Sequence, residues 1–105
     1  MEKLLYECDG IKIYEENIPD EHKVQVGTHF CHLPSGILKQ LSQTDPKGLE
    51  QGLETVNPLF LNRLREQGIS LEDLDWAISK ARMVELDREV QYFVREYNEL
   101  KAKID

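Results

Sequence analysis

Cysteine is scarce in this chain, and apolar runs are short. Only two cysteines, Cys8 and Cys31, occur among 105 residues. That is too few for the disulfide framework of a small secreted domain. No apolar stretch approaches the roughly 18 residues of a membrane span, and the first residues carry no signal-peptide pattern. A reducing, cytoplasmic setting with both thiols free is therefore expected. Cationic side chains are also in deficit: 13 Lys and Arg stand against 20 Asp and Glu, a formal net charge of -7. Binding to phosphate needs surplus cation, so a general electrostatic grip on nucleic acid or on an anionic membrane is excluded. Motifs of catalysis are missing too: there is no HExxH, no P-loop, no Gly-rich dinucleotide fingerprint and no GxSxG. Internal repeats and low-complexity tracts are likewise absent.

What is present is material for one ordinary domain, residues 1–105, with 40% hydrophobic residues to build a core. The signals change character near Pro34. Residues 1–34 read as strands and residues 35–105 as helices, an α+β chain.

The clearest local signal is Asp9-Gly10 between Leu4–Cys8 and Ile11–Tyr14. Asp-Gly favours a type I′ turn, whose two positive φ angles match the twist of paired strands. A two-residue loop sets Cys8 opposite Ile11, Glu7 opposite Lys12, Tyr6 opposite Ile13, Leu5 opposite Tyr14 and Lys3 opposite Glu16. Leu4, Tyr6, Cys8, Ile11 and Ile13 then share the apolar face. Asn17-Ile18-Pro19-Asp20 reads as a turn. A third strand is expected from Lys23 to Leu33, with Val24, Val26, Thr28 and Phe30 on one face and Gln25, Gly27, His29 and Cys31 on the other. The result is a three-stranded antiparallel β-meander, which needs a helical cover because so small a sheet is marginal alone.

Three to four helices follow. Ser35 is placed to cap a short one through Ile37, Leu38 and Leu41. Asp45-Pro46 and Asn57-Pro58 each pair an N-cap residue with proline at the first helical position. Ser70 opens the last helix with Asp73 at the capping-box position, and Ile69 and Leu74 stand at staple spacing. Neither proline nor glycine interrupts Leu71–Ile104. A helix of that span is about 50 Å long, whereas a compact chain of this size is only about 33 Å across. Leu74, Ile78 and Ala81 form a stripe suited to packing under the sheet. Beyond them, Leu86, Val90, Phe93, Tyr97, Leu100 and Ile104 recur at alternating steps of four and three, a heptad seam that Val94 widens.

Two other clusters bear on function. Cysteine and histidine ligands suit zinc, and His29 and Cys31 point the same way on a strand. In a continuous third strand, however, Cys31 lies on the face opposite Val26 and Phe30, away from Cys8; only a bulge at Gly27 flips that register. Phe60 to Ala81 has the spacing of a helix-turn-helix with Gly68 in the turn. Its second helix would meet DNA with Glu72, Asp73 and Asp75, three carboxylates where phosphate is expected. Trp76 is assigned to the core, although it precedes Met83 by seven residues and so has the spacing to continue the seam.

These readings converge on a small acidic interaction or adaptor protein that is not an enzyme and needs no cofactor. Its partner-binding residues are Leu86, Val90, Phe93, Tyr97, Leu100 and Ile104, which pair with a second copy (a homodimer) or with a partner-protein helix. No nucleic acid or membrane partner is expected. A helix-turn-helix regulator and a metal protein using His29 and Cys31 are the alternatives.

Overall fold

The computed structural model describes residues 2–18 and 20–104; Met1, Pro19 and Asp105 lie outside them. Four strands, β1 (Lys3–Cys8), β2 (Ile11–Glu15), β3 (His22–Val26) and β4 (His29–Leu33), precede four helices, α1 (Ile37–Ser42), α2 (Pro46–Val56), α3 (Pro58–Glu66) and α4 (Leu71–Ile104). The strands form one antiparallel sheet in the order β1-β2-β3-β4. The class is α+β, with a strand more than the three-stranded meander that the alternation suggested.

The extra strand arises at Gly27. The expected third strand folds back on itself there, with Val26 opposite His29 and Val24 opposite Cys31. Gly27 takes φ +59°, a left-handed conformation that glycine accepts without a Cβ penalty. A two-residue turn changes which parity faces inward. His22, Val24 and Val26 are buried on β3, and Cys31 and Leu33 on β4. Phe30 is 53% exposed, so Cys31 and Phe30 occupy the reverse of their expected faces. Cys8 stands opposite Ile11, on the same side of the sheet as Cys31. Both cysteines are free. They lie on opposite edge strands, three strand spacings or about 14 Å apart, so sheet width and not facing keeps their sulfurs from meeting.

The first hairpin has the expected pairs Cys8–Ile11, Glu7–Lys12 and Tyr6–Ile13. A bulge then intervenes, so that Leu4 pairs with Tyr14 and Lys3 with Glu15. Leu5 is consequently buried and Leu4 exposed, the reverse of strict alternation. Bulges are frequent on edge strands, where an unpaired residue costs least. Around the expected Asn17–Asp20 turn, Glu16 N–H donates to the Glu21 carbonyl and Glu21 N–H to that of Ile18; Pro19 is not among the described residues.

Helix starts follow their local chemistry. The Asp45 carboxylate accepts from Gly48 N–H at 2.8 Å, the Asn57 side chain from Phe60 N–H at 3.1 Å, and the Ser70 hydroxyl from Asp73 N–H at 3.1 Å. The start of α1 differs: Gly36, not Ser35, is its N-cap, and no side chain caps it. Where α2 crosses α1, Gly52 permits close approach; a Cβ there would lie 2.8 Å from a Leu41 methyl.

The core is a single cluster between one sheet face and the helices. It joins Ile11, Ile13, Val24, Val26, Cys31 and Leu33 to Leu38, Leu49, Leu53 and Leu64, and to Leu74, Ala77, Ile78 and Ala81 of α4. Small alanines on α4 let the helix axis approach the sheet closely. Trp76 does not join them; it is 57% exposed, and its indole N–H donates to the Tyr6 hydroxyl at 3.3 Å. The whole measures 59 × 28 × 23 Å with a radius of gyration of 16.1 Å. A compact chain of this length would have about 13 Å, and the excess is the far half of α4. No helix among the described residues is long and apolar enough to cross a membrane.

Candidate protein-interaction surface

α4 changes environment at its middle. Leu74, Ala77, Ile78 and Ala81 lock its first half into the core. Polar contacts then take over. His22, buried on β3, holds the Glu85 carboxylate at 2.9 Å through its Nε2. Arg82 approaches Glu85 at 3.4 Å and Glu89 at 3.8 Å, and Arg88 reaches Glu15 of β2 at 2.8 Å. Burial alone would raise the Glu85 pKa. The hydrogen bond and charge of His22, with the Arg82 guanidinium, outweigh burial and hold the carboxyl below its ordinary value. From Glu89 to Ile104 every residue is exposed.

Five of the six predicted partner-binding residues fall within this stretch, and the sixth, Leu86, is exposed just before it. Their exposures run from 42% at Leu86 to 83% at Ile104, with Val90, Phe93, Tyr97 and Leu100 between. Met83 is 58% exposed one heptad before Val90. A groove of about 520 Å³ between α1 and α4 is lined by Met83 and Leu86 together with Lys39 and Gln43. The tail also carries Tyr92 and Val94, both exposed. Isolated surface apolar residues are ordinary, but a contiguous row on a projecting helix marks an interaction site or an aggregation hazard.

The rival clusters are also in place. His29 begins β4 half-buried, Cys31 is sealed in the core and His32 faces outward against Glu16. Burial pushes the Cys31 thiol pKa up, against a hydrogen bond from Asn57. No group of three or more His, Cys, Asp or Glu side chains gathers as a metal-ligand set among the described residues. The corner between α3 and α4 exposes Glu72 and Asp73 at the start of α4. Asp75 lies beside them, its pKa raised by burial and by the charges of Asp45 and Glu72. These carboxylates would repel a phosphate backbone.

The regular row of apolar residues, which is exposed on α4, is readable from spacing alone. The His22–Glu85 contact is not, because its partners are 63 residues apart; the available hint is that His22 shares even numbering with Val24 and Val26. Comparison with protein-family models, with curated proteins and with solved structures finds no match for this chain.

Proposed function

We propose that this protein is a non-catalytic adaptor or regulatory module of the cytoplasm, which self-associates through the second half of α4 and uses neither nucleic acid nor membrane as partner. The reading rests on one observation: Leu86, Val90, Phe93, Tyr97, Leu100 and Ile104 form a continuous exposed row on a helix that has left its own core. Burying such a row is favourable at about 25 cal/mol per Å² of apolar surface, and a second identical row is the nearest complement. Heptad spacing supports a helix as the occupant, since knobs from one chain fit holes on another at that repeat.

Light scattering on the full chain tests this reading. The wild type is expected to show twice the monomer mass, and a Phe93→Asp, Leu100→Asp variant the monomer mass with unchanged circular dichroism. A wild type that stays monomeric at high micromolar concentration removes the reading.

A further inference from the structure

The exposed apolar ridge begins earlier than Leu86. Trp76 and Met83 lie on the same line of α4, two heptads and one heptad before Val90, and both are more than half exposed. In heptad terms Trp76, Met83, Val90, Tyr97 and Ile104 occupy one core position. Ser79, Leu86, Phe93 and Leu100 occupy the other. At 3.6 residues per turn, this seam lies roughly 150° around α4 from the Leu74–Ala81 stripe that faces the sheet. A second helix on the seam therefore faces away from its host's sheet, and two bodies stand on opposite flanks of the pair.

We infer that two copies pair in parallel and in register along the whole ridge from Trp76 to Ile104, an inference that rests on the self-association proposed above. Charge beside the seam favours this arrangement over antiparallel pairing of the same length, and the apolar length buried favours it over a shorter overlap. In a parallel pair each residue just before the first core position faces the residue just after the second, one heptad on, in the other copy. Arg82 then faces Asp87, Asp75 faces Lys80, and Glu96 faces Lys101, each occurring twice by symmetry; Glu89 faces the neutral Val94. Arg82 also contacts Glu85 of its own chain at 3.4 Å, so Glu96–Lys101 is the cleaner pair.

Antiparallel pairing over the same length sets Lys80 against Lys101, Arg82 against Lys103 and Glu89 against Glu96. Every charged contact there is between like signs. A shorter antiparallel overlap confined to the tail sets Asp87 against Lys101 and Glu89 against Lys103 but faces Glu96 with itself, and it buries less apolar surface because Trp76 and Met83 stay bare. Surface ion pairs add little affinity singly, but like-charge contacts decide between orientations that bury similar apolar area.

A Leu100→Cys variant of the full chain, with Cys8→Ser, reads the orientation, because Cys31 is sealed in the core. Parallel pairing places residue 100 beside its own copy, so mild oxidation should convert the dimer to a disulfide-linked species. The only tryptophan, Trp76, should also be several-fold less accessible to iodide than in the monomeric Phe93→Asp, Leu100→Asp variant. Disulfides that form only in mixtures with Met83→Cys or Val90→Cys chains overturn the parallel arrangement but leave self-association standing. A residue-100 disulfide with Trp76 still open to iodide overturns the extension along the body. A monomeric unmodified chain by light scattering overturns both readings together.

Discussion

The imidazole of His22 and the carboxylate of Glu85 meet at 2.9 Å across the boundary between sheet and helix, with side chains only 4% and 14% exposed. This contact lies at the point where α4 leaves its body. Upstream the helix is held by alanine and leucine packing; from Glu89 onward every residue is exposed. The pair therefore acts as the last inward clasp, aided by Arg88 on Glu15. His22 Nδ1 is buried without a partner, so the Glu85 contact is the ring's one hydrogen bond.

His22→Ala should destabilise the monomer by about 1–3 kcal/mol, the usual cost of losing a hydrogen bond to a charged group. Its pH dependence follows from Glu85, whose native pKa is lowered from the ordinary 4.5. A depressed carboxyl contributes stability that is fully present above 4.5 and is lost as pH falls through the native value. Urea midpoints at pH 7 and near pH 3.5 should therefore differ more for the wild type than for Glu85→Gln. Equal acid sensitivity in the two proteins would show that the clasp carries no charge.

Cys31 lies in the core beside Val24 and Leu33, whereas Cys8 is half-buried near the first turn. Burial raises the Cys31 pKa, so neither thiolate character nor access favours its reaction. Ellman's reagent should modify one thiol in the native chain and both after unfolding. Fast modification of both in the folded protein would point to the continuous third strand, with Cys31 outward.

That outward reading failed for a physical reason. Val24, Val26, Thr28 and Phe30 alternate without interruption across the hairpin, and a lone glycine followed by a β-branched threonine is a weak turn signal. Nothing local announces that parity reverses at Gly27. The Leu5 bulge was hidden similarly, since Leu4 and Leu5 are both apolar and either satisfies the inner face. Where the chemistry was unambiguous, as at Asp9-Gly10, Asp45-Pro46, Asn57-Pro58 and Ser70, turn and caps form at those residues. The exposed row on α4 was visible because its period is regular over many turns. Trp76 departs from the core expected for a tryptophan because Ala77 and Ala81 occupy the inward positions around it, which only the fold shows.

Gly27→Ala tests the reversal directly. Alanine at φ +59° carries a left-handed penalty of about 1–2 kcal/mol. The variant should lose that much by urea denaturation, whereas Glu54→Ala, at an exposed position of α2 away from the turn, should lose less than about 0.5 kcal/mol. Similar values for the two would remove the turn from Gly27.

From Glu89 to Ile104 every residue of α4 is exposed, which separates association from folding. Phe93→Asp with Leu100→Asp alters only exposed positions, so its monomer should retain intrinsic stability within about 0.5 kcal/mol. The wild type should behave differently. Anything that binds the native state but not the unfolded one raises the apparent midpoint by mass action, so its Tm should climb with protein concentration while that of the variant stays flat. Parallel pairing adds a salt effect: its opposite-charge flanks lose attraction as ionic strength rises, because the Debye length shrinks to about 3 Å at 1 M. The wild-type Tm should thus rise with concentration and, at fixed concentration, fall modestly between low and moderate salt. A concentration-independent wild-type Tm would mean that the row stays unpaired in solution.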